Sequence, residues 1–252
     1  MNYKIAKKIL KKVKEDYKII AKDFSITRDK RIWDELNVLV EKYVKDNQKI
    51  LDIGCGNGRL FSILKNKNID YWGIDNCKEL IKIAQEKYKD CNNARFEIKD
   101  MLEINFEKEF DLVFVIAVLQ HIPAEELRLK ALKKIKKALR SGGCLIMLNW
   151  NLFQKDKIKY VNKYNKLRLE EKFELSENDT LIPWREFRST YKSNDANNQK
   201  EILRYYHAFT KEELEGLLKK TGFEIEDIYY VKKGKRVGID EGYNLCVIAQ
   251  AC

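Results

Sequence analysis

The sequence predicts an α/β fold of one domain, residues 1–252, with a mixed seven-stranded sheet, helices on both faces and a terminal antiparallel hairpin. Three patterns predict it. Short apolar runs alternate with helical periodicity from residue 48 to 150. One run, Leu112–Leu119, is continuously apolar, as is typical of a strand buried on both sides in a parallel sheet. Two further apolar runs near the C-terminus, joined by a basic loop, predict the hairpin.

Two helices are predicted in residues 1–47, before the first strand. In residues 3–22, apolar side chains recur at helical spacing and lysines fill the other positions, which predicts a basic amphipathic helix packed on the domain. We expect a short break at Asp23–Asp29. A second helix is predicted from Lys30 to about Val44.

The core is predicted at residues 48–150, as five strands with helices between them. The strands are expected at Lys49–Ile53, Tyr71–Ile74, Ala94–Ile98, Asp111–Ala117 and Cys144–Asn149. The helices are expected at Gly58–Lys65, Lys78–Tyr88 and Ala124–Leu139, the last ended by Ser141-Gly-Gly143.

The alternation of predicted strands and helices stops at residues 151–206, which are polar and contain Pro183-Trp184. They predict an insertion over one edge of the sheet. The alternation resumes in residues 207–252. There, Thr210 and Glu213 are spaced as a capping box at the start of a helix. The hairpin strands are expected at Phe223–Val231 and Tyr243–Ala249.

The chain is strongly basic, with 50 Lys+Arg, 39 Asp+Glu and a net charge of +11. Such an excess favours an anionic partner, nucleic acid first, although a lysine-rich proteome produces the same excess. Residues 1–49 alone hold 14 basic and 8 acidic side chains. The segments expected to contact phosphates are Lys4–Lys22, Lys130–Arg140 and Lys232–Arg236.

The six cysteines form no Cys-x-x-Cys pair and the chain has two histidines, so we expect no metal site. No apolar run reaches the roughly 18 uncharged residues of a membrane span. The N-terminus lacks the basic-then-apolar order of a signal peptide. We therefore expect a cytoplasmic protein that contacts no membrane.

A nucleotide-binding turn is predicted where the first strand ends. Asp52 closes that strand, and Gly54, Gly56 and Gly58 follow before a helix. Glycines let the backbone turn sharply and approach a ligand closely. Cys55 fills a position in this loop that suits a small residue.

Acidic residues also end the next two strands. Asp75, followed by Asn76, is placed to accept hydrogen bonds from ribose hydroxyls. At Asp100-Met101, the carboxylate is placed to accept the adenine amino group and the apolar side chain to pack on the ring. Each acid taken alone is better explained as a helix cap or a surface charge. Their common register across one sheet favours a ligand site.

The loop Asp52–Gly58 resembles motif I of the class I S-adenosylmethionine-dependent methyltransferases, and Phe110–His121 resembles their fourth motif. This resemblance implies a Rossmann-like fold, S-adenosylmethionine as cofactor and methyl transfer. It also implies that Ala117, at the end of strand four, lies beneath the reactive sulfonium. Arg28 and Arg59 are candidates to bind the cofactor carboxylate, or are solvated surface arginines.

Five further segments are similar to the tRNA wobble-uridine carboxymethyl methyltransferases. They are Ile20–Arg28, Ile116–His121, Asn149-Trp150, Ile182–Trp184 and Arg204–His207. The similarity implies methyl transfer to the carboxylate of a modified uridine in tRNA, forming a methyl ester. The chain departs from that family at Gln120, where a second histidine is usual, and at Asn151–Gln154, which replaces a more acidic segment.

A carboxylic acid is already ionised at pH 7, so such an acceptor needs alignment and desolvation rather than a general base. His121 and His207 are expected to position the acceptor, against the alternative of structural histidines. Arg204 and Arg185 are candidates to hold its carboxylate or a flanking phosphate. Trp150 and Trp184 are candidates to stack on an unpaired base, or are core residues.

Two other functions remain open. One is a small-molecule methyltransferase in which residues 151–206 form a lid over a metabolite. The other is a non-catalytic cofactor-binding subunit that scaffolds a partner. The resemblance also implies a small activating partner protein, as in eukaryotic relatives, and no DNA partner is expected.

Overall fold

The computed structural model describes residues 1–29, 32–170, 175–184 and 202–252. The helices are α1 (Tyr3–Asp29), α2 (Asp34–Tyr43), α3 (Phe61–Leu64), α4 (Lys78–Lys87), α5 (Glu125–Ala138), α6 (Ile158–Leu169) and α7 (Lys211–Lys220). The strands are β1 (Lys49–Ile53), β2 (Asp70–Asp75), β3 (Ala94–Ile98), β4 (Phe110–Ile116), β5 (Leu139–Trp150), β6 (Asp179–Pro183), β7 (Leu203–His207), β8 (Phe223–Lys232), β9 (Lys235–Arg236) and β10 (Asn244–Ala251).

The main sheet has the strand order β3-β2-β1-β4-β5-β10-β8-β9. The first five strands are parallel, and β10 runs antiparallel to both β5 and β8. The predicted mixed sheet and terminal hairpin are therefore confirmed. The predicted number of seven strands is one too low, because the two-residue strand β9 pairs with the end of β8.

Apolar clusters on both faces of this sheet form the core. One contains Val113, Val115 and Met147 and packs against α5 and α7. The other contains Ile50, Phe114 and Ile146 and packs against α2, α3 and α4. Alternate residues of β4 enter opposite clusters, which explains why its sequence is apolar throughout.

The predicted break at Asp23–Asp29 is wrong, because α1 continues to Asp29. Residues 3–29 contain neither glycine nor proline. The last turns are held by packing, since Ala21 lies in a small cluster with Cys77 and Leu80 against which Phe24 packs. The end of α1 therefore lies against α4 and not in solvent.

The insertion at residues 151–206 contains regular structure that the sequence did not predict. It holds α6 and an antiparallel pair, β6 and β7, in a separate two-stranded sheet. Helix α6 packs on this sheet through Val161, which clusters with Ile182 and Tyr206. None of the helices within the described ranges has the length and apolarity to cross a membrane.

Candidate active site

A deep cavity lies at the carboxyl ends of β1, β2 and β4, covered by α1 and the β6–β7 sheet. Its lining has two chemically different ends. The glycine loop and the acids after β1, β2 and β3 form one end, which we call the cofactor end. Tyr17, Gln120, His121, Trp150, Arg204 and Tyr206 form the other, which we call the acceptor end.

The glycine loop has the tight geometry predicted from its sequence. Gly54, Gly56 and Gly58 have φ angles of +71°, +56° and +74°. A Cβ on Gly54 would lie 2.2 Å from Cγ2 of Val118, so no side chain fits there. Gly54, Cys55 and Gly56 line the cavity, whereas Gly58 does not and serves the turn beside Tyr88.

Asp75 holds the glycine loop against the start of α4. Its Oδ2 accepts a hydrogen bond from the Gly56 N–H at 3.0 Å, and its Oδ1 accepts one from the Cys77 N–H at 2.8 Å. Burial raises the pKa of Asp75 to about 6, and these two backbone donors oppose that rise. The carboxylate thus supports the loop while it faces the cavity.

Asp100 is held in a similar way at the end of β3. Its Oδ1 accepts from the Leu102 N–H at 2.8 Å, and its Oδ2 accepts from Nδ2 of Asn76 at 3.2 Å. Asn76 therefore links the end of β2, where it directly follows Asp75, to Asp100 after β3. The buried Met101 side chain lines the same end of the cavity.

Asp52 is 2% exposed, which makes it more buried than Asp75 and Asp100. Its Oδ2 accepts a 2.6 Å hydrogen bond from the hydroxyl of Tyr71 on the neighbouring strand β2. Burial raises the pKa of Asp52 to about 7, while the Tyr71 hydrogen bond and the charge of Arg59 lower it. Tyr71 was not among the site residues predicted from the sequence.

The end of α1 is tied to the glycine loop through Asn57. Its Nδ2 donates to Oγ of Ser25 at 2.9 Å and to Oδ1 of Asp29 at 2.8 Å. Arg28 and Arg59 both line the cavity. Arg59 stacks on Trp33 at 4.6 Å, and burial together with the charge of Arg28 lowers its pKa to about 10. Both arginines are half-buried in the cavity wall.

At the acceptor end, His121 is a neutral hydrogen-bond acceptor towards Tyr17. Its Nδ1 lies 2.9 Å from the Tyr205 carbonyl oxygen, which can only accept, so Nδ1 carries the proton. Nε2 therefore accepts from the Tyr17 hydroxyl, 2.9 Å away. Burial lowers the pKa of His121 to about 3, which keeps the ring neutral in the physiological range.

Arg204 is a buried cation framed by aromatic rings. It is 4% exposed, and its guanidinium carbon lies 4.7 Å from the ring centre of Trp184 and 5.2 Å from that of Tyr206. Its Nε has no hydrogen-bond partner within the described residues. The carboxylate of Asp16 on α1 interacts with its charge without forming an ion pair. Arg204 thus presents a desolvated positive charge at the cavity.

Gln120 and Trp150 meet beside this arginine. Oε1 of Gln120 accepts from the Trp150 N–H at 2.7 Å, so its Nε2 is a donor, and Nε2 is buried without a partner in the described part of the chain. The Trp150 ring stacks on Tyr206 at 5.3 Å. Trp184 does not line the cavity and packs behind Arg204 and Arg28.

His207 does not lie where the sequence led us to expect it. Side chains alternate along β7, so Arg204 and Tyr206 face the cavity while His207 lies outside its lining. Its Nδ1 is 2.7 Å from Oδ1 of Asp179, and its Nε2 is 2.8 Å from Oε1 of Glu213. With both nitrogens bound to carboxylates, a direct contact with the acceptor does not fit this geometry.

The remaining predicted acceptor residue, Arg185, lies outside the described residues. The structure also adds residues that sequence reasoning missed. Tyr17 and Tyr206 line the acceptor end, and Asn57 and Trp33 line the cofactor end. Tyr17 belongs to the apolar stripe of α1, and Tyr206 to a segment already singled out, so the sequence held a signal for both. No signal marked Asp179 as the partner of His207.

A family model described as a methyltransferase domain matches residues 44–222, more than half of the chain. Among curated proteins, a tRNA (carboxymethyluridine(34)-5-O)-methyltransferase of Schizosaccharomyces pombe is 30% identical over 226 residues, covering 84% of this chain and 89% of that protein. A carboxy-S-adenosyl-L-methionine synthase of Helicobacter pylori is 41% identical over 103 residues, 39% of this chain and 41% of the synthase.

Solved structures show the same fold at lower identity. A methyltransferase of Methanosarcina mazei, 21% identical, aligns with a TM-score of 0.63 over 84% of this chain and 96% of its own. A Haloferax volcanii methyltransferase in complex with the Trm112 activator, 13% identical, aligns with a TM-score of 0.64 over 93% and 97%. The chain therefore belongs to the methyltransferase-domain family, is an S-adenosylmethionine-dependent methyltransferase of class I, and resembles the tRNA carboxymethyluridine methyltransferases.

Proposed function

We propose that this enzyme methylates the carboxylate of a carboxymethyl-type modified wobble uridine in tRNA. The observation that carries the proposal is Arg204, a buried cation that lines the cavity and forms no ion pair with a carboxylate of the described chain. A buried charge is costly unless an anion compensates it. Asp16 interacts with this charge, but no described carboxylate forms an ion pair with the guanidinium, and a substrate carboxylate would supply that pair.

At the cofactor end, the residues present fit S-adenosylmethionine. Gly54, Cys55 and Gly56 line the cavity, and the positive φ angles of Gly54 and Gly56 make the sharp turn that brings this backbone to it. All the residues predicted for the cofactor's recognition except Gly58 line this cavity. In this proposal Asp75 would accept the ribose hydroxyls, and Asp100 with Met101 would hold the adenine. Asp52 would bind the ammonium, and Arg28 or Arg59 the carboxylate, of the methionine portion.

When bound, S-adenosylmethionine supplies an electrophilic methyl group, and a carboxylate accepts it without losing a proton. The protein therefore needs to align and desolvate the acceptor rather than deprotonate it. Arg204 and Nε2 of Gln120 are donors suited to a carboxylate. Neutral His121 holds Tyr17 in place, and Trp150 with Tyr206 offers an aromatic surface for an unpaired base.

A small activating protein partner and a cytoplasmic location belong to the same proposal. The Haloferax volcanii methyltransferase was solved with such an activator, and the Schizosaccharomyces pombe relative is named for a tRNA modification. Copurification with a small partner that raises methylation of tRNA would support the activating partner. Fractionation of the native cells tests the cytoplasmic location.

The experiment that tests the acceptor uses the full chain, radiolabelled S-adenosylmethionine and total tRNA from cells lacking this enzyme. Digestion of the tRNA is expected to release one labelled nucleoside, a uridine with a methyl ester that mild alkali hydrolyses. Label in an alkali-stable position would contradict the proposed carboxylate acceptor. Turnover on small carboxylic acids with none on tRNA would identify a small-molecule methyltransferase instead. Cofactor binding without transfer to either, with and without an activator, would indicate a non-catalytic subunit.

A further inference from the structure

We infer that α1 and α6, which both adjoin the acceptor end of the cavity, form the surface that binds the RNA backbone. The inference rests on the proposed function, because it takes a tRNA as the polyanion. We name as the α1–α6 surface the lysines of Lys4–Lys22 on α1 and the cations of Lys155–Arg168 on and just before α6.

The charge of the chain is concentrated in these two segments. Residues 4–22 contain eight lysines and two carboxylates, and residues 155–168 contain six cations and one carboxylate. Their combined excess of eleven positive charges equals the net charge of the whole chain. The remaining residues are balanced, so the two helices account for the basic character of the protein.

Both helices are attached directly to the acceptor end. Helix α1 places Tyr17 in the cavity wall, and Lys12 donates from Nζ to the Leu203 carbonyl at the start of β7. Helix α6 packs Val161 in one cluster with Tyr206, and Trp150 packs against that cluster. Tyr206 and Trp150 line the cavity, so α6 is one layer of side chains away from it.

The cations of α6 are available to a ligand. Lys155, Lys159, Lys163 and Lys166 are exposed, and within the described ranges the carboxylate nearest to any of them is Glu170, 4.0 Å from Lys166. Lys159, Lys163 and Lys166 repeat at helical spacing along about 10 Å of the helix. Such a row suits a polymer that carries one negative charge per nucleotide.

The basic helix α5, which the sequence also suggested as a phosphate-binding segment, differs from α6 both in its distance from the cavity and in the availability of its cations. Its C-terminal end leads into the start of β5, at the sheet edge opposite the cavity. Several of its cations are bound by the protein itself. Lys134 donates to the Ile104 carbonyl, Lys136 to the Gly222 carbonyl, and Lys137 pairs with Glu107. Segment Lys232–Arg236 lies on the outermost strand pair, and Arg236 pairs with Asp227.

Two matched triple variants test the inference. Lys159→Gln/Lys163→Gln/Lys166→Gln removes three charges from α6, and Lys130→Gln/Lys133→Gln/Lys219→Gln removes three exposed lysines from α5 and α7. Gln is a good helix former, so both are expected to unfold at the wild-type temperature. We measure the Kd for total tRNA by fluorescence anisotropy between about 50 and 250 mM salt, with cofactor affinity as a further control.

The α6 triple variant is expected to weaken tRNA binding about tenfold and to reduce the slope of log Kd against log salt by about two. The α5/α7 triple variant is expected to match the wild type. Equal effects of the two, or none from the α6 variant, would overturn the inference. The inference would also be overturned if the α6 triple variant kept its tRNA affinity but lost binding to phosphatidylserine vesicles. That result would identify a membrane-binding surface.

The inference is tested by tRNA affinity and the proposed function by the methylated nucleoside, so failure of one can be distinguished from failure of the other. Weakened tRNA binding in the α6 variant, with no methylated uridine from the wild type, would support the surface and reject the proposed acceptor. Normal tRNA affinity in the α6 variant, with methylated uridine from the wild type, would reject the surface and support the acceptor.

Discussion

The hydroxyl of Tyr71 on β2 donates a 2.6 Å hydrogen bond to Oδ2 of Asp52 at the end of β1. Both side chains are buried, and the bond joins the strand that precedes the glycine loop to its parallel neighbour. Burial raises the pKa of Asp52, and the Tyr71 hydroxyl opposes that rise at a carboxylate that lines the cofactor end of the cavity.

Removal of this hydrogen bond is expected to make cofactor binding more sensitive to pH. The pKa of Asp52 is about 7, and the Tyr71 hydroxyl is a contribution that lowers it. In Tyr71→Phe that pKa rises, so less of Asp52 is ionised at neutral pH. Affinity for S-adenosylmethionine at pH 7 is expected to fall several-fold and to recover near pH 9, by calorimetry. Tyr88→Phe is the control, because the Tyr88 hydroxyl donates to the Gly58 carbonyl, not to a carboxylate. An unchanged pH profile in Tyr71→Phe would contradict the role of the bond.

Gly54→Ala is expected to destabilise the protein and abolish cofactor binding. The substitution places a Cβ 2.2 Å from Val118 at a φ of +71°, which costs about 1–2 kcal/mol from the backbone alone. Adding Val118→Ala is expected to restore part of the stability but not all, because the φ strain remains. Gly216→Ala on α7, where no atom lies within 4 Å, is expected to stabilise by up to about 1 kcal/mol. Urea unfolding measures all three, and a neutral Gly54→Ala would refute the steric argument.

His207→Ala is expected to reduce stability rather than catalysis. The imidazole hydrogen-bonds Asp179, whose side chain is 0% exposed, and removal of one partner from a buried hydrogen bond costs about 1–3 kcal/mol. Glu213→Gln should lower the free energy of unfolding by less than His207→Ala, because the Glu213 side chain is 28% exposed. Denaturant unfolding gives these values, and KM for tRNA measured well below the unfolding temperature should stay near that of the wild type. A large rise in KM without loss of stability would place His207 in the acceptor site after all.

Arg204→Lys is expected to impair acceptor binding while cofactor affinity stays unchanged. Lysine keeps the charge but loses the planar fork and its stacking on Trp184 and Tyr206. Hydrogen bonds to charged groups contribute about 1.5–3 kcal/mol, so kcat/KM for tRNA should fall about ten- to hundredfold. Arg95→Lys is a matched control, since Arg95 stacks on Trp72 at 4.7 Å and pairs with Asp70 away from the cavity. Equal activity of the Arg204→Lys enzyme and the wild type would exclude carboxylate recognition by this residue.

The rate of methyl transfer under saturation is expected to be independent of pH between about 6 and 9. The acceptor carboxylate is ionised throughout this range. His121, with a pKa of about 3, is neutral throughout it and neither gains nor loses a proton. Single-turnover rates at saturating cofactor and tRNA measure this. A rate that rises tenfold per pH unit would reveal a general base and so contradict a carboxylate acceptor.

Much of the cofactor end was predictable because its signals are local. The sharp turn at Gly54–Gly58 and the acids closing β1 and β2 follow from short-range spacing, and the structure brings them to one sheet edge. The acceptor end depends on contacts between distant residues. His207 was misplaced because its partner Asp179 lies 28 residues earlier, on a strand that sequence periodicity did not reveal. The number of strands was too low because β9 has only two residues, too short for an apolar pattern.

Helix α1 touches both ends of the cavity, through Tyr17 at one and through the contacts of Ser25 and Asp29 with Asn57 at the other. At 27 residues it is about 40 Å long and contains no glycine or proline at which it would bend. A movement of this helix that admits one substrate therefore disturbs the site of the other. Because such coupling is reciprocal, whatever factor one substrate imposes through α1 on the affinity for the other, the other imposes in return.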